Sequence, residues 1–467
     1  MTNEELNLLL SNRNGAIIAP AGHGKTEMIV EIVMASTGKQ LLLTHTNAGV
    51  DAIKSRLDRK QVKESKYTVS TIAAFCIRWC LAYKHTAGIP DFKGIENVNY
   101  EALYTAAEEI FHNTWSGKVL KNTYASIIVD EYQDCTMDQH SLIVSLNSFL
   151  PVYVLGDPLQ GIFDWNKPVV DWKTIEFKKI EVLTEPWRWK ETNPELGKFL
   201  EHQRKILWPT LDGNEVEVKI MPVKNYIRVI SPEQFDNSKY KIDKSYCSVL
   251  YITKWPYKQL SVCRRQSWRF QYDESQELNE LFTFAKCFDD ENGYKRALSV
   301  ISFMGICATK VTSELSSYMN NLKKSQCDFG RIRKHTELKE QLQILCREKN
   351  LQAIIDILFW TRDFKDSSVY RRELYREMIR SIEYARTHDC SIYEGTQHIR
   401  TNQNLRKNYD SFRCLSSRTV LSKGLEFDCV IVDMTEPPRA KDFYVALTRA
   451  RYEVIFIADN DKAILKP

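Results

Sequence analysis

Residues 15–26 read Gly-Ala-Ile-Ile-Ala-Pro-Ala-Gly-His-Gly-Lys-Thr, and they hold the residue types a phosphate group needs. Glycines let backbone N–H groups turn inward around phosphate oxygens, and a following helix N-terminus adds partial positive charge. Lys25 would lie against β- and γ-phosphates, and the Thr26 hydroxyl would ligate Mg2+. Ala21, Gly22, His23 and Gly24 form the turn itself, while Ala19 stands where such a loop usually opens on glycine. Asp130 and Glu131 follow Ser126-Ile-Ile-Val, an apolar run that delivers two carboxylates together. With Thr26, the first carboxylate makes a magnesium pair, and the second can take a proton from an attacking water. Gln160 can hydrogen-bond a γ-phosphate or that water. Phe163 and Trp165 lie close behind it, where aromatic faces can stack on bases.

These side chains need elements to hold them. Ala16, Ile17 and Ile18 read as a buried strand, broken by Pro20, Gly22 and Gly24. Met28, Ile29, Ile32 and Val33 then keep helical spacing from Lys25 onward. Further strands are read at 40–44, 67–71, 126–129 and 152–156, the first two ending in His45-Thr46-Asn47 and Ser70-Thr71. Polar clusters at carboxyl ends of strands are where an open parallel sheet presents ligand-binding groups. From Phe75 to Gly117 the pattern is helical, and helical stretches dominate again from 265 to 405.

Composition sets bounds without naming a function. At 467 residues, about three domains are expected, and 43% hydrophobic with 27% charged residues is ordinary for a globular protein. No apolar run approaches the roughly 20 residues of a membrane span. Met-Thr-Asn-Glu-Glu at the start lacks a secretory leader's pattern, so a cytoplasmic location is expected. The twelve cysteines are scattered without a Cys-x-x-Cys pair, which reads as reduced thiols packed as small apolar residues. A net charge of +5 mildly favours a polyanionic partner. The stripe Arg372, Arg376 and Arg380 is interleaved with Glu373, Glu377 and Glu383, and reads as a solvated face with intrahelical pairs. Arg331-Ile-Arg333-Lys334-His335 is a denser basic patch that suits nucleic acid or a protein partner equally.

The order of these stretches resembles superfamily 1 helicases of the UvrD/Rep/PcrA type. Ala-Pro-Ala-Gly-His-Gly-Lys-Thr, Leu-Thr-His-Thr-Asn, Val-Asp-Glu-Tyr-Gln-Asp and Gly-Asp-Pro-Leu-Gln follow that family's motifs. Pro186-Trp187-Arg188-Trp189 resembles its fourth motif, residues 422–428 its fifth and residues 444–450 its sixth. The resemblance implies an α/β fold: two RecA-like P-loop NTPase domains, parallel sheets flanked by helices, with small mostly helical insertions. One domain would combine 1–75 and 121–175 around an insertion at 76–120. The other would combine 176–262 and 406–467 around an insertion at 263–405.

It further implies ATP with Mg2+, and single-stranded DNA as partner. Arg188 and Arg449 would reach the γ-phosphate, Trp187 would stack on adenine and Glu426 would sit near the ribose. Thr46, Asn47, Thr71, Phe163 and Trp165 match positions that touch the strand. Three departures stand out. No glutamine precedes Gln40 to read adenine, leaving Asn7 or Asn12 as substitutes. His45 replaces an aromatic, and the fifth motif lacks its histidine. The implied activity is ATP-driven translocation on single-stranded DNA, with or without 3′-to-5′ unwinding. The alternative is a DNA-sensing ATPase subunit, engaging single strands or DNA ends, that regulates an OLD-type nuclease in a Gabija-type anti-phage complex. A catalytically dead scaffold is hard to square with Lys25, Asp130, Glu131, Gln160, Arg188 and Arg449 together.

Overall fold

The computed structural model describes residues 3–90, 99–163, 168–180, 185–237, 240–274, 278–402 and 413–467. The chain divides into two compact units. The first comprises Met1–Ile227, Pro437–Glu453 and Asn460–Pro467, and the second comprises Arg228–Glu436 and Val454–Asp459.

The first unit is built on β1 (Asn14–Ile18), β2 (Gln40–Thr44), β3 (Tyr67–Thr71), β4 (Ser126–Val129), β5 (Val152–Gly156) and β6 (Lys179–Ile180), in the spatial order β3-β2-β4-β5-β1-β6. Every pairing is parallel. A parallel sheet is covered on both faces, so its strands need apolar residues at successive positions. Along β2, Leu41 and Leu43 join the core that holds Phe75, Phe111, Tyr132 and Trp172. Leu42 joins the opposite one, with Leu9, Ile29, Ile53 and Leu57. Helices Ile72–Ala82, Tyr100–Phe111 and Thr114–Thr123 occupy the stretch read as helical.

Parallel strands release their loops at one edge. The register pairs Ile18 with Gly156 and Val129 with Val154, so the loops after β1, β4 and β5 emerge side by side. Beyond β6 come helices Trp187–Lys190 and Pro194–Leu207, and then β7 (Val216–Lys219). The longer helix starts on Asn193, whose side chain accepts from the Leu196 N–H at 3.1 Å, with Pro194 in the first position.

A second six-stranded sheet contains β8 (Ile227–Ile230), β9 (Val249–Thr253), β10 (Gln271–Tyr272), β11 (Cys414–Arg418), β12 (Phe427–Asp433) and β13 (Ala450–Ile457), in the order β10-β11-β9-β12-β13-β8. β9 pairs in parallel with β11 and β12. Between β10 and β11 lies a helical body with its own core, including Phe288, Phe303, Met304, Leu342, Leu358 and Met378. At its base Arg371 grips Glu274 through two hydrogen bonds, at 2.8 and 2.6 Å, with both residues buried. β14 (Lys462–Leu465) returns to the first unit and pairs antiparallel with β7.

The basic stripe differs from its sequence reading. Glu377 is buried and binds Arg400 of the next helix at 3.1 Å, so the face is not uniformly solvated. Burial of Glu377 needs a fixed cation more than an adjacent turn can supply. In the other patch, Lys334 and His335 hold Glu314 at 3.1 and 2.9 Å, while Arg331 and Arg333 remain exposed.

Candidate nucleotide site

The loop between β1 and helix Lys25–Ala35 turns through two left-handed glycines, Gly22 at φ 71° and Gly24 at φ 80°. Both are sterically required. A Cβ on Gly22 would lie 2.5 Å from the Trp189 ring, and one on Gly24 would lie 3.2 Å from Trp187 Cδ1. The tryptophans therefore pack on the loop itself, and the Arg188 N–H donates to Gly22 O at 3.1 Å. Trp187 keeps 56% exposure, with the Lys190 ammonium 4.2 Å from its ring centre. His23 is buried, its Nδ1 2.8 Å from Ala21 O and its Nε2 3.3 Å from Glu201.

Lys25 starts the helix and faces both carboxylates. Its Nζ lies 3.3 Å from Asp130 Oδ1 and also pairs with Glu131. Burial works to depress the ammonium's pKa, but Asp130 and Glu131 outweigh it and hold the pKa above its ordinary value. Asp130 moves upward: burial raises it, Glu131 adds to this, and Lys25 opposes both. Glu131 sits at φ 54°, in the left-handed region, directly after β4 and Asp130. Its N–H donates to Asp130 Oδ1 at 2.9 Å.

The third loop brings Asp157 and Gln160. Asp157 has no exposed surface and accepts from the Ala21 N–H at 3.3 Å, the Leu159 N–H at 3.4 Å, Gln160 Nε2 at 3.4 Å and Arg204 Nη2 at 3.2 Å. The Tyr444 hydroxyl also bonds to it; burial, reinforced by Asp157, pushes that phenol well above its usual range. Arg449 donates to Gln160 Oε1 at 3.4 Å and to Val445 O at 3.0 Å, and Arg188 Nη1 donates to Thr448 O at 2.5 Å. All of these residues belong to the first unit.

The structure thus gathers Ala21, Gly22, His23, Gly24, Lys25, Thr26, Asp130, Glu131, Gln160, Trp187, Arg188 and Arg449 in one unit. Glu426 belongs to the second unit, exposed immediately before β12. Thr46 and Thr71 have helix-capping contacts, accepting from the Gly49 and Ala74 N–H groups at 3.0 Å each. Asn47 is exposed, Phe163 is half-buried and Trp165 falls outside the described residues. Sequence reading missed Gln133, Asp157, Arg204 and Tyr444 as parts of the constellation. Gln133, Asp157 and Tyr444 sit inside the quoted motifs, which is the signal that was there to use.

The loop, the helix N-terminus and a half-buried lysine suit a nucleotide's phosphates. Among the described residues, no group of three or more His, Cys, Asp or Glu could hold a metal ion. Thr26 contributes a hydroxyl and Asp130 a carboxylate, donor types that a divalent cation shared with phosphate oxygens and water takes.

Residues 2–164 match the AAA domain family. No curated protein matches the chain. Among solved structures, the chain is similar to Pif1 helicase from Candida albicans at 12% identity and a TM-score of 0.38, covering 99% of this chain and 95% of that one. The arterivirus nonstructural protein 10 helicase with DNA gives 9% identity and a TM-score of 0.36, covering 98% of this chain. The PRRSV helicase gives 10% and 0.33, covering 97%. The chain spans 64% of the length of the arterivirus helicase and 54% of the PRRSV one. No helix among the described residues is long and apolar enough to cross a membrane.

Proposed function

We propose that this protein is a DNA-dependent ATPase of the superfamily 1 helicase type, UvrD-like in its motifs, that translocates on single-stranded DNA. The observation that carries this reading is the convergence of Lys25, Asp130, Glu131, Gln160 and Arg449 beside a left-handed glycine loop. Lys25 and the loop N–H groups bind the β- and γ-phosphates. Glu131 accepts the proton of the attacking water while the β–γ bridging P–O bond breaks, releasing ADP and phosphate. Thr26 and Asp130 would hold Mg2+, which when bound would neutralise the charge that develops on the phosphate oxygens. Arg188 and Arg449 match that spreading charge with planar guanidinium groups. Trp187 offers an exposed ring for the base. It reads no hydrogen-bond pattern, which suits the missing adenine-reading glutamine.

Thr46, Asn47, Thr71, Phe163 and Trp165 form the proposed path of the strand. Thr46 and Asn47 lie at the carboxyl end of β2, and Thr71 closes β3. The test is ATP turnover of the purified chain with single-stranded, blunt and tailed DNA, alongside Glu131→Gln. Stimulation by single strands that vanishes in Glu131→Gln supports the motor. Turnover indifferent to DNA rejects it. Strong strand separation by the isolated chain favours a self-sufficient 3′-to-5′ helicase. A nuclease that co-purifies and is controlled by this ATPase favours the anti-phage regulatory subunit.

A further inference from the structure

Gln133 is almost completely buried between the carboxyl ends of β4 and β5. Its amide nitrogen donates to Glu131 Oε2, and its carbonyl oxygen accepts the Asp157 N–H at 3.1 Å. The two partners fix the amide's orientation. Reversed, it would turn its oxygen toward a carboxylate and its NH2 toward a backbone N–H, losing both bonds. The backbone is shaped to admit it. A Cβ on Gly156 would fall 2.3 Å from Gln133 Oε1, so a side chain at the end of β5 would displace the amide. Asp157 then connects onward to the Ala21 N–H of the phosphate loop and to Gln160 Nε2, and Gln160 Oε1 meets Arg449.

We propose that Gln133 is a positioning residue for Glu131. It holds the carboxylate in line for the attacking water and, through Asp157, ties that placement to the phosphate loop and to Gln160. This rests on Glu131 being the proton acceptor. Lys25 also pulls on Glu131, so a carboxylate released by Gln133 would rest on the ammonium, turned away from the water. The bond matters because small displacements of a reacting group cost far more in rate than in binding.

The experiment is a double-mutant cycle. Gln133→Glu keeps shape and the acceptor for the Asp157 N–H, but replaces the donor with a second carboxylate; Gln133→Leu removes both bonds. Each is expected to lower kcat roughly 10- to 100-fold. KM for ATP should stay within about threefold, the pattern of an interaction made in the transition state. In the Glu131→Gln background, adding either change should alter the residual kcat by less than about twofold, because nothing remains to position. A full further loss in that background, or a loss carried by KM, overturns the assignment to Glu131. Should Gln133→Leu fail to fold, Gln133→Glu in both backgrounds decides alone. Normal turnover by Glu131→Gln overturns the base reading and this proposal together, a result distinct from additive losses.

Discussion

Arg449 is 2% exposed, and its guanidinium donates to Val445 O, Thr448 Oγ1 and Gln160 Oε1. Such a fork is preorganised for the charge of a transferring phosphoryl group. Arg449→Ala is expected to cut kcat about a thousandfold, as loss of an arginine finger does. Arg449→Lys is expected to recover little, since one ammonium cannot reproduce the fork. A melting temperature near that of the parent chain checks that the loss is chemical. Wholesale destabilisation would make Arg449 structural. Gly22→Ala gives a second prediction. It meets both the left-handed φ and the Trp189 ring, so nucleotide affinity should collapse, read by titration with a fluorescent ATP analogue. Lys25, Asp130 and Glu131 were legible in the sequence because their chemistry depends on neighbours in the chain. Arg204 was not, because Asp157 recruits it from 47 residues away, and Tyr444 was quoted within a motif without any local sign that its hydroxyl meets Asp157. Thr46 and Thr71 show the reverse problem. A hydroxyl at a strand end looks like a ligand group, and both are also helix caps.

At the scale of elements, five strands of the first sheet were readable, the central ones because they are apolar throughout, as Leu41-Leu-Leu43 is, whereas the two-residue β6 was not. The helical body was readable only as helical periodicity. Its anchoring was not, since Glu274 and Arg371 stand 97 residues apart. That pair yields a stability prediction. Arg371→Met leaves the Glu274 carboxylate, 1% exposed, without its cation and should cost roughly 3–5 kcal/mol. Replacing both residues with apolar side chains of similar volume should cost far less, because no charge is left stranded. Urea denaturation of the single and double variants measures the difference. Equal destabilisation by the two would mean the pair contributes packing rather than charge compensation. The same reasoning explains Glu377, which its spacing assigned to a solvated face but which Arg400 allows to be buried.

For the whole molecule, the net charge of +5 is too small to predict where a polyanion binds. Binding strength therefore depends on local contacts, and salt dependence counts them. Each phosphate neutralised on a single strand contributes about 0.7 to the slope of log affinity against log salt. Thr46, Asn47 and Thr71 are neutral, so contacts confined to them give a shallow slope. Arg331 and Arg333 are exposed on the helical body, while Lys334 and His335 engage Glu314, and as cations they can add to it. If they grip phosphates, Arg331→Ala with Arg333→Ala should reduce the slope by about 0.7 per residue, and should weaken binding alike across sequences. The measurement is the single-stranded DNA concentration that half-stimulates ATP turnover, taken across a range of salt. An unchanged slope in the double variant removes these two arginines from the strand's path, and whatever slope remains counts the phosphates that other cations neutralise.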